Sequence, residues 1–189
     1  MPQTVFLLSR LAVCGFVFTL LGYAQMNTKP KMQRYVASLR LYQSSDELYA
    51  CFGNDPKPLV AYAKNLEVQA AAWEKLLRPP AQGLLIVVGL KPGKRSRIWC
   101  ESALSGNIDP EAIKTLEREL AILPAPEVRG PVAFAVQMRL LGREVEVQRS
   151  SADDAKGFPE FPKRWAELAA RRGQPLKIPE DVFRALWPD

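Results

Sequence analysis

The densest group of chemically capable side chains is Lys91, Lys94, Arg95 and Arg97, spread around the turn-forming run Lys91-Pro92-Gly93-Lys94. Clustered cations of this kind suit phosphate, lipid headgroups or an acidic protein surface, and equally an ordinary solvated turn. Trp99 follows at strand spacing, on the same side as Arg95 and Arg97, and aromatic and arginine side chains are common anchors of protein interfaces. The candidate protein-contact residues are therefore Lys94, Arg95, Arg97 and Trp99, joined by Gln137 and Arg139 for reasons given below. The acids do not assemble into a site. Asp153-Asp154 is a lone pair, and hard cations want more oxygens than two neighbours supply. Glu144 and Glu146 fall on one side of a charged run with no sign of burial, a weak basis for a glycosidase pair. The chain has no histidine, which removes the commonest general base, metal ligand and pH switch together. No G-x-S-x-G, Ser-x-x-Lys or Cys-x-x-Cys motif occurs. No catalytic, cofactor-binding or metal-binding residue is assigned.

The first residues read as an export segment. Arg10 precedes the apolar run Leu11-Ala-Val-Cys-Gly-Phe-Val-Phe-Thr-Leu-Leu-Gly22, and Gly22-Tyr23-Ala24 puts small residues where a signal peptidase reads. This is the pattern of a cleaved signal peptide, with the mature chain expected to start near Gln25. An uncleaved inner-membrane anchor over residues 5–23 is the alternative, because that stretch has spanning length if Arg10 is accommodated. Cys14 belongs to this apolar run. Cys51 and Cys100 then remain, and an even number of cysteines in an exported chain suggests one disulfide between them. Two buried thiols are the alternative.

Three spans follow: the export segment 1–24, an α+β domain over 25–149 with a helical lead, and a helical extension over 150–189. At 189 residues, 48% hydrophobic and 24% charged, the chain has the composition of a packed globular domain. Its net charge of +6 is spread among 20 acidic residues, which fits a mixed soluble surface.

Residues 35–42 are ambiguous between strand and helix. Ser44-Ser-Asp-Glu47 is a capping box for a short helix. Asn54-Asp55-Pro56 opens a longer one, whose apolar face is Leu59, Tyr62, Leu66, Ala70, Trp73 and Leu77. Leu84 to Val88 reads as a buried strand, and residues 95–102 alternate back to form a hairpin. Ser96, Ile98, Cys100 and Ser102 take one side, and Arg95, Arg97, Trp99 and Glu101 the other. Asp109-Pro110-Glu111 starts a helix with Ile113, Leu116, Leu120 and Leu123 on its inner face. Val132, Phe134, Val136, Met138 and Leu140 alternate with Ala133, Ala135, Gln137 and Arg139, the clearest strand in the chain. Gly142-Arg143 reads as a turn into a last charged strand over 143–149. Two short helices follow, over 162–173 and 179–187.

The stretch from about Gly83 to Leu140 resembles the C-terminal domain of the TonB and TolA energy-transduction proteins. The shared order is Gly83-Leu-Leu-Ile-Val-Val, the turn Lys91-Pro-Gly-Lys94, the strand Arg97-Ile-Trp-Cys-Glu-Ser102, the helix start Asp109-Pro-Glu-Ala-Ile113, the connector Pro124-Ala-Pro126, and Gly130-Pro-Val-Ala-Phe-Ala-Val136. The resemblance covers about a third of the chain. It implies a small antiparallel sheet packed on one face by helices, and a non-catalytic domain that grips other envelope proteins, often by adding or receiving a β-strand. The expected partner is another envelope protein in the periplasm or outside the cell. Nucleic acid is not expected, and membrane contact is expected only if the export segment is retained. A small exported enzyme or enzyme inhibitor is the alternative. If helices cover one face only, Arg97, Trp99, Gln137 and Arg139 share the open face. The extension competes for it, since Trp165, Leu168, Phe183, Leu186 and Trp187 need apolar cover.

Overall fold

The computed structural model describes residues 17–18, 32–73, 82–103, 108–146, 158–173 and 180–188. The expected export cleavage site, Leu77 and Asp153-Asp154 lie outside them. In chain order the elements are β1 (Val17–Phe18), β2 (Met32–Leu41), α1 (Ser45–Cys51), α2 (Lys57–Ala72), β3 (Gln82–Lys91), β4 (Arg95–Ala103), α3 (Pro110–Leu120), β5 (Val132–Glu146), α4 (Lys163–Arg172) and α5 (Glu180–Leu186). The fold is α+β. All strand pairs are antiparallel, in the order β1-β2-β5-β3-β4. β5, last of the described strands in the chain, lies between β2 and β3.

Local chemistry accounts for most of these boundaries. Ser44 and Glu47 form the reciprocal capping box of α1: the Glu47 amide donates to the Ser44 hydroxyl and the Ser44 amide to the Glu47 carboxylate. α2 has Pro56 at its N-cap and no capping side chain; Asp55 accepts from the Lys57 amide at 3.0 Å just before it, and Asn54 sits in a left-handed turn. Asp109 accepts from the Glu111 amide at the start of α3. Pro92 and Gly93 (φ 83) turn the β3–β4 hairpin, and Glu127 holds that turn by accepting from the Gly93 amide. α4 has no capping side chain of its own. A strand supplies one: Glu101 of β4 accepts from the Lys163 and Arg164 amides at 2.7 and 3.2 Å, which places a carboxylate at the positive end of the helix.

Residues 35–42, ambiguous in sequence, are mostly strand, and β2 pairs along β5 from Leu41↔Phe134 to Met32↔Glu146. The expected turn at Gly142-Arg143 does not form. β5 continues to Glu146, and the irregularity is absorbed where the register shifts between Gln33↔Val145 and Tyr35↔Leu140. The extra β5 residues are taken up as a bulge, which lets one long strand replace the expected hairpin.

The sheet has two packed faces. On one, α1, α2 and α3 bury the alternating set Leu84, Ile86, Val88, Ile98, Cys100, Phe134, Val136 and Met138 against Leu59, Tyr62, Leu66, Leu116 and Leu120. On the other, Leu85, Val87, Trp99, Ala133 and Ala135 meet Phe158, Trp165, Val182 and Phe183 of the C-terminal extension. The alternation of β4 and β5 is therefore as expected, but the second face is not open over these residues.

Candidate functional site

The six expected contact residues separate into two groups. Lys94, Arg95 and Arg97 are exposed at and beside the hairpin turn. Lys94 has φ 55, the left-handed region that favours glycine. The Arg95 Nε donates to the Pro92 carbonyl at 3.1 Å, and the Arg97 guanidinium lies over the Trp99 ring, 5.6 Å from its centroid. Trp99 itself is only 4% exposed, packed under the extension. Gln137 is 2% exposed and accepts from the Ser38 hydroxyl at 3.2 Å. Arg139 is half-buried two positions further along β5. The open-face expectation for Trp99 and Gln137 is therefore corrected. The apolar side chains of α4 and α5 need cover, and the Trp99 side of the sheet supplies it.

The expected disulfide is also absent: Cys51 and Cys100 are free. Register explains why. Cys51, the last residue of α1, lies beside the segment leading into β5, its carbonyl accepting from the Arg129 amide and its thiol 3.8 Å from the Pro131 carbonyl oxygen. Cys100 pairs with Ile86, which pairs with Val136. From Pro131 to the level of Val136 is about 17 Å along the strand, and two strand spacings add about 10 Å across it. The sulfurs are thus about 20 Å apart, against a Cα separation of at most about 7 Å in a disulfide. Burial raises the pKa of both thiols, with neighbouring carboxylates (Glu180 and Glu47 at Cys51, Glu117 at Cys100) adding to it. Neither is poised as a nucleophile.

The two sheet edges differ. Tyr42 donates its amide to Ala133 at 3.2 Å, so the alternation of an antiparallel ladder turns the amides of Arg40, Ser38 and Val36 toward β5. Those of Leu41, Leu39, Ala37 and Tyr35 then point outward. Val17–Phe18 pairs there, opposite Arg40 and Leu39. Among the described residues, the outward groups of Ala37 and Tyr35 have no strand beside them. At the β4 edge, Glu117 of α3 accepts from the outward Cys100 amide at 2.7 Å, and Arg164 reaches Glu117 at 3.6 Å. A carboxylate and a helix end thus block the middle of that edge.

One cleft of about 400 Å³ opens between the β3–β4 turn and α5. Lys91, Arg95 and Arg184 supply its positive charge, Glu180 its carboxylate, and Pro92, Pro131, Pro188 and Phe183 its apolar walls. Lys91 is buried to 9% exposure. Its ammonium donates to the Trp187 carbonyl at 2.8 Å and lies 4.9 Å from the centroid of that ring. Sequence reasoning found the hairpin cations but not Arg184 and Glu180, because nothing local connects them to Lys91. Among the described residues, no group of three or more His, Cys, Asp or Glu side chains gathers to hold a metal ion, and no helix is long and apolar enough to cross a membrane. No protein-family model, curated protein or solved structure matches this chain.

Proposed function

We propose that the chain is an exported, non-catalytic envelope protein that binds another protein through its sheet, with the outer edge of β2 receiving an extended segment of the partner. The observation that carries this is the contrast between the edges. β4 has its outward Cys100 amide taken by Glu117, whereas β2 pairs with Val17–Phe18, which lies within the expected export segment 1–24 and would leave with it on cleavage, and has outward peptide groups beyond it. With apolar helices packed over both faces, main-chain pairing at an edge is the sheet's available mode of contact. The ββαβ order of residues 83–140 that carries the TonB and TolA resemblance agrees with this.

Ala37→Pro tests the proposal. Proline there deletes an outward amide and leaves the β2–β5 ladder intact, a strand setting that proline tolerates. The wild-type and Ala37→Pro proteins are used side by side to capture partners from an envelope extract. A protein held by the wild type and lost by a variant with near-native melting temperature is expected. A protein held equally by both rules out the β2 edge, and failure of the wild type to hold any protein overturns the binding role.

A further inference from the structure

Resting on the reading of β2 as the receiving edge, we infer that the export segment plugs that edge in the uncleaved chain through Val17–Phe18, and that removal of residues 1–24 opens it to a partner. Val17 lies opposite Arg40 and Phe18 opposite Leu39 in an antiparallel pair. The Leu39 amide points away from β5, so the alternation of the ladder makes Leu39 and Phe18 the pair that exchanges hydrogen bonds. β1 therefore sits within the outward set Leu41, Leu39, Ala37 and Tyr35. A partner segment spanning these groups needs the Leu39 amide and carbonyl, which cannot serve two strands at once.

Two residue pairs hold this plug only because it is tethered. Residues 19–31 join Phe18 to the first residue of β2, and a short tether gives its end an effective concentration in the roughly millimolar range. Cutting after Ala24 turns the same segment into a free peptide, and so short a pairing has no independent stability in water. The rest of the molecule does not depend on β1. Among the described residues, both packed faces are built from Tyr35 onward, and β2 keeps its ladder with β5. The cut thus changes the edge and leaves the fold, a proteolytic switch of the pro-segment kind.

Hydrogen exchange of the Leu39 amide, followed by NMR in the full chain carrying a sequence-specific protease site between Ala24 and Gln25, tests the inference. After the cut, with the released peptide removed and the protein monomeric, Leu39 should exchange at least tenfold faster. Amides within the β3–β5 ladder should stay protected. Phe18→Pro in the uncut chain deletes the donor to the Leu39 carbonyl and should speed Leu39 exchange in the same way. Equal Leu39 exchange before and after the cut overturns the inference and leaves the β2 edge proposal untouched. Unfolding on cutting also overturns it, because β1 would then be part of the core structure. A partner identified by the Ala37→Pro comparison, made on the cut chain, should be held at least tenfold more tightly by the cut chain than by the uncut one. Equal affinity overturns the plug even where Leu39 is protected. The Ala37→Pro comparison decides the edge itself, so the two readings fail separately.

Discussion

The two faces of the sheet are built on opposite principles. The face under α1, α2 and α3 is made of large residues, with Leu84, Ile86, Val88, Phe134, Val136 and Met138 all at 3% exposure or less. It meets helices whose own stripes are equally large. The other face is shallow along its centre, where Gly89, Ala133 and Ala135 make room for aromatic side chains arriving from far along the chain. Large-on-large packing is set by local periodicity, and either element announces it alone. Small-under-aromatic packing is a property of the pair, because an alanine marks a seat only when the occupant is known.

Cutting the first face should have the largest effect. Phe134 is fully buried there, edge-on to Tyr62 at 6.4 Å between ring centroids. Phe134→Ala removes a central side chain from a close-packed interior, a change that costs about 3 to 5 kcal/mol. Denaturant unfolding is expected to show this as one cooperative loss of the whole domain. A loss under 1 kcal/mol would mean that this face is not the main core.

The second face should yield a smaller and more local effect at Gly89. A Cβ there would come within 2.6 Å of Phe183 Cε1, so this glycine serves close approach and not a special turn. Gly89→Val should destabilise by about 1 to 3 kcal/mol through overpacking. It should also raise protease sensitivity after Phe158 while the first face stays cooperative. Adding Phe183→Ala removes the clash, so the double variant should cost less than the two single changes added together. Strict additivity would show that Phe183 does not sit on Gly89.

The same contrast explains what could be read from the sequence. Helix caps at Ser44 and Asp109 involve residues two or three apart, and the alternation of β4 and β5 is carried by each strand alone. These features were legible. The insertion of β5 between β2 and β3, the approach of Phe183 to Gly89, and the closure of the face around Trp99 all depend on residues tens of positions apart. The disulfide expectation failed for that reason: cysteine parity says nothing of register, and register sets Cys51 and Cys100 about 20 Å apart. Gly142 was misread because a glycine inside a strand pattern marks a bulge as readily as a turn. Of the cleft, only Lys91 and Arg95 were legible, through their clustering at the hairpin. Arg184 and Glu180 reach it only through the docking of α5.

The smallest expected effect separates the faces by pH. Tyr42 sits beneath the extension, 4.8 Å from Trp165 and 6.1 Å from Phe161 between ring centroids. Burial pushes its phenol well above the ordinary 10, with Glu101 adding to the rise and Arg40 opposing it. A raised folded-state pKa in an acid means that the unfolded chain ionises first. Stability is therefore fully present below pH 10 and falls as pH climbs above it, by up to about 1.4 kcal/mol per pH unit for this group. Tyr35, pushed up to about 12 by burial and by Glu67, and Tyr62, raised by burial, act in the same direction from the first face. Tyr42→Phe keeps the ring contacts and removes only the ionisable group. At pH 7 the substitution should be near neutral, because the buried Tyr42 hydroxyl has no hydrogen-bond partner among the described residues and little is lost with it. At pH 11 the variant should be more stable than the wild type by about 1 kcal/mol. Denaturant melts of both proteins at pH 7 and pH 11 decide it. Parallel losses in the two would mean that Tyr42 is solvated and that the extension does not cover this part of the sheet.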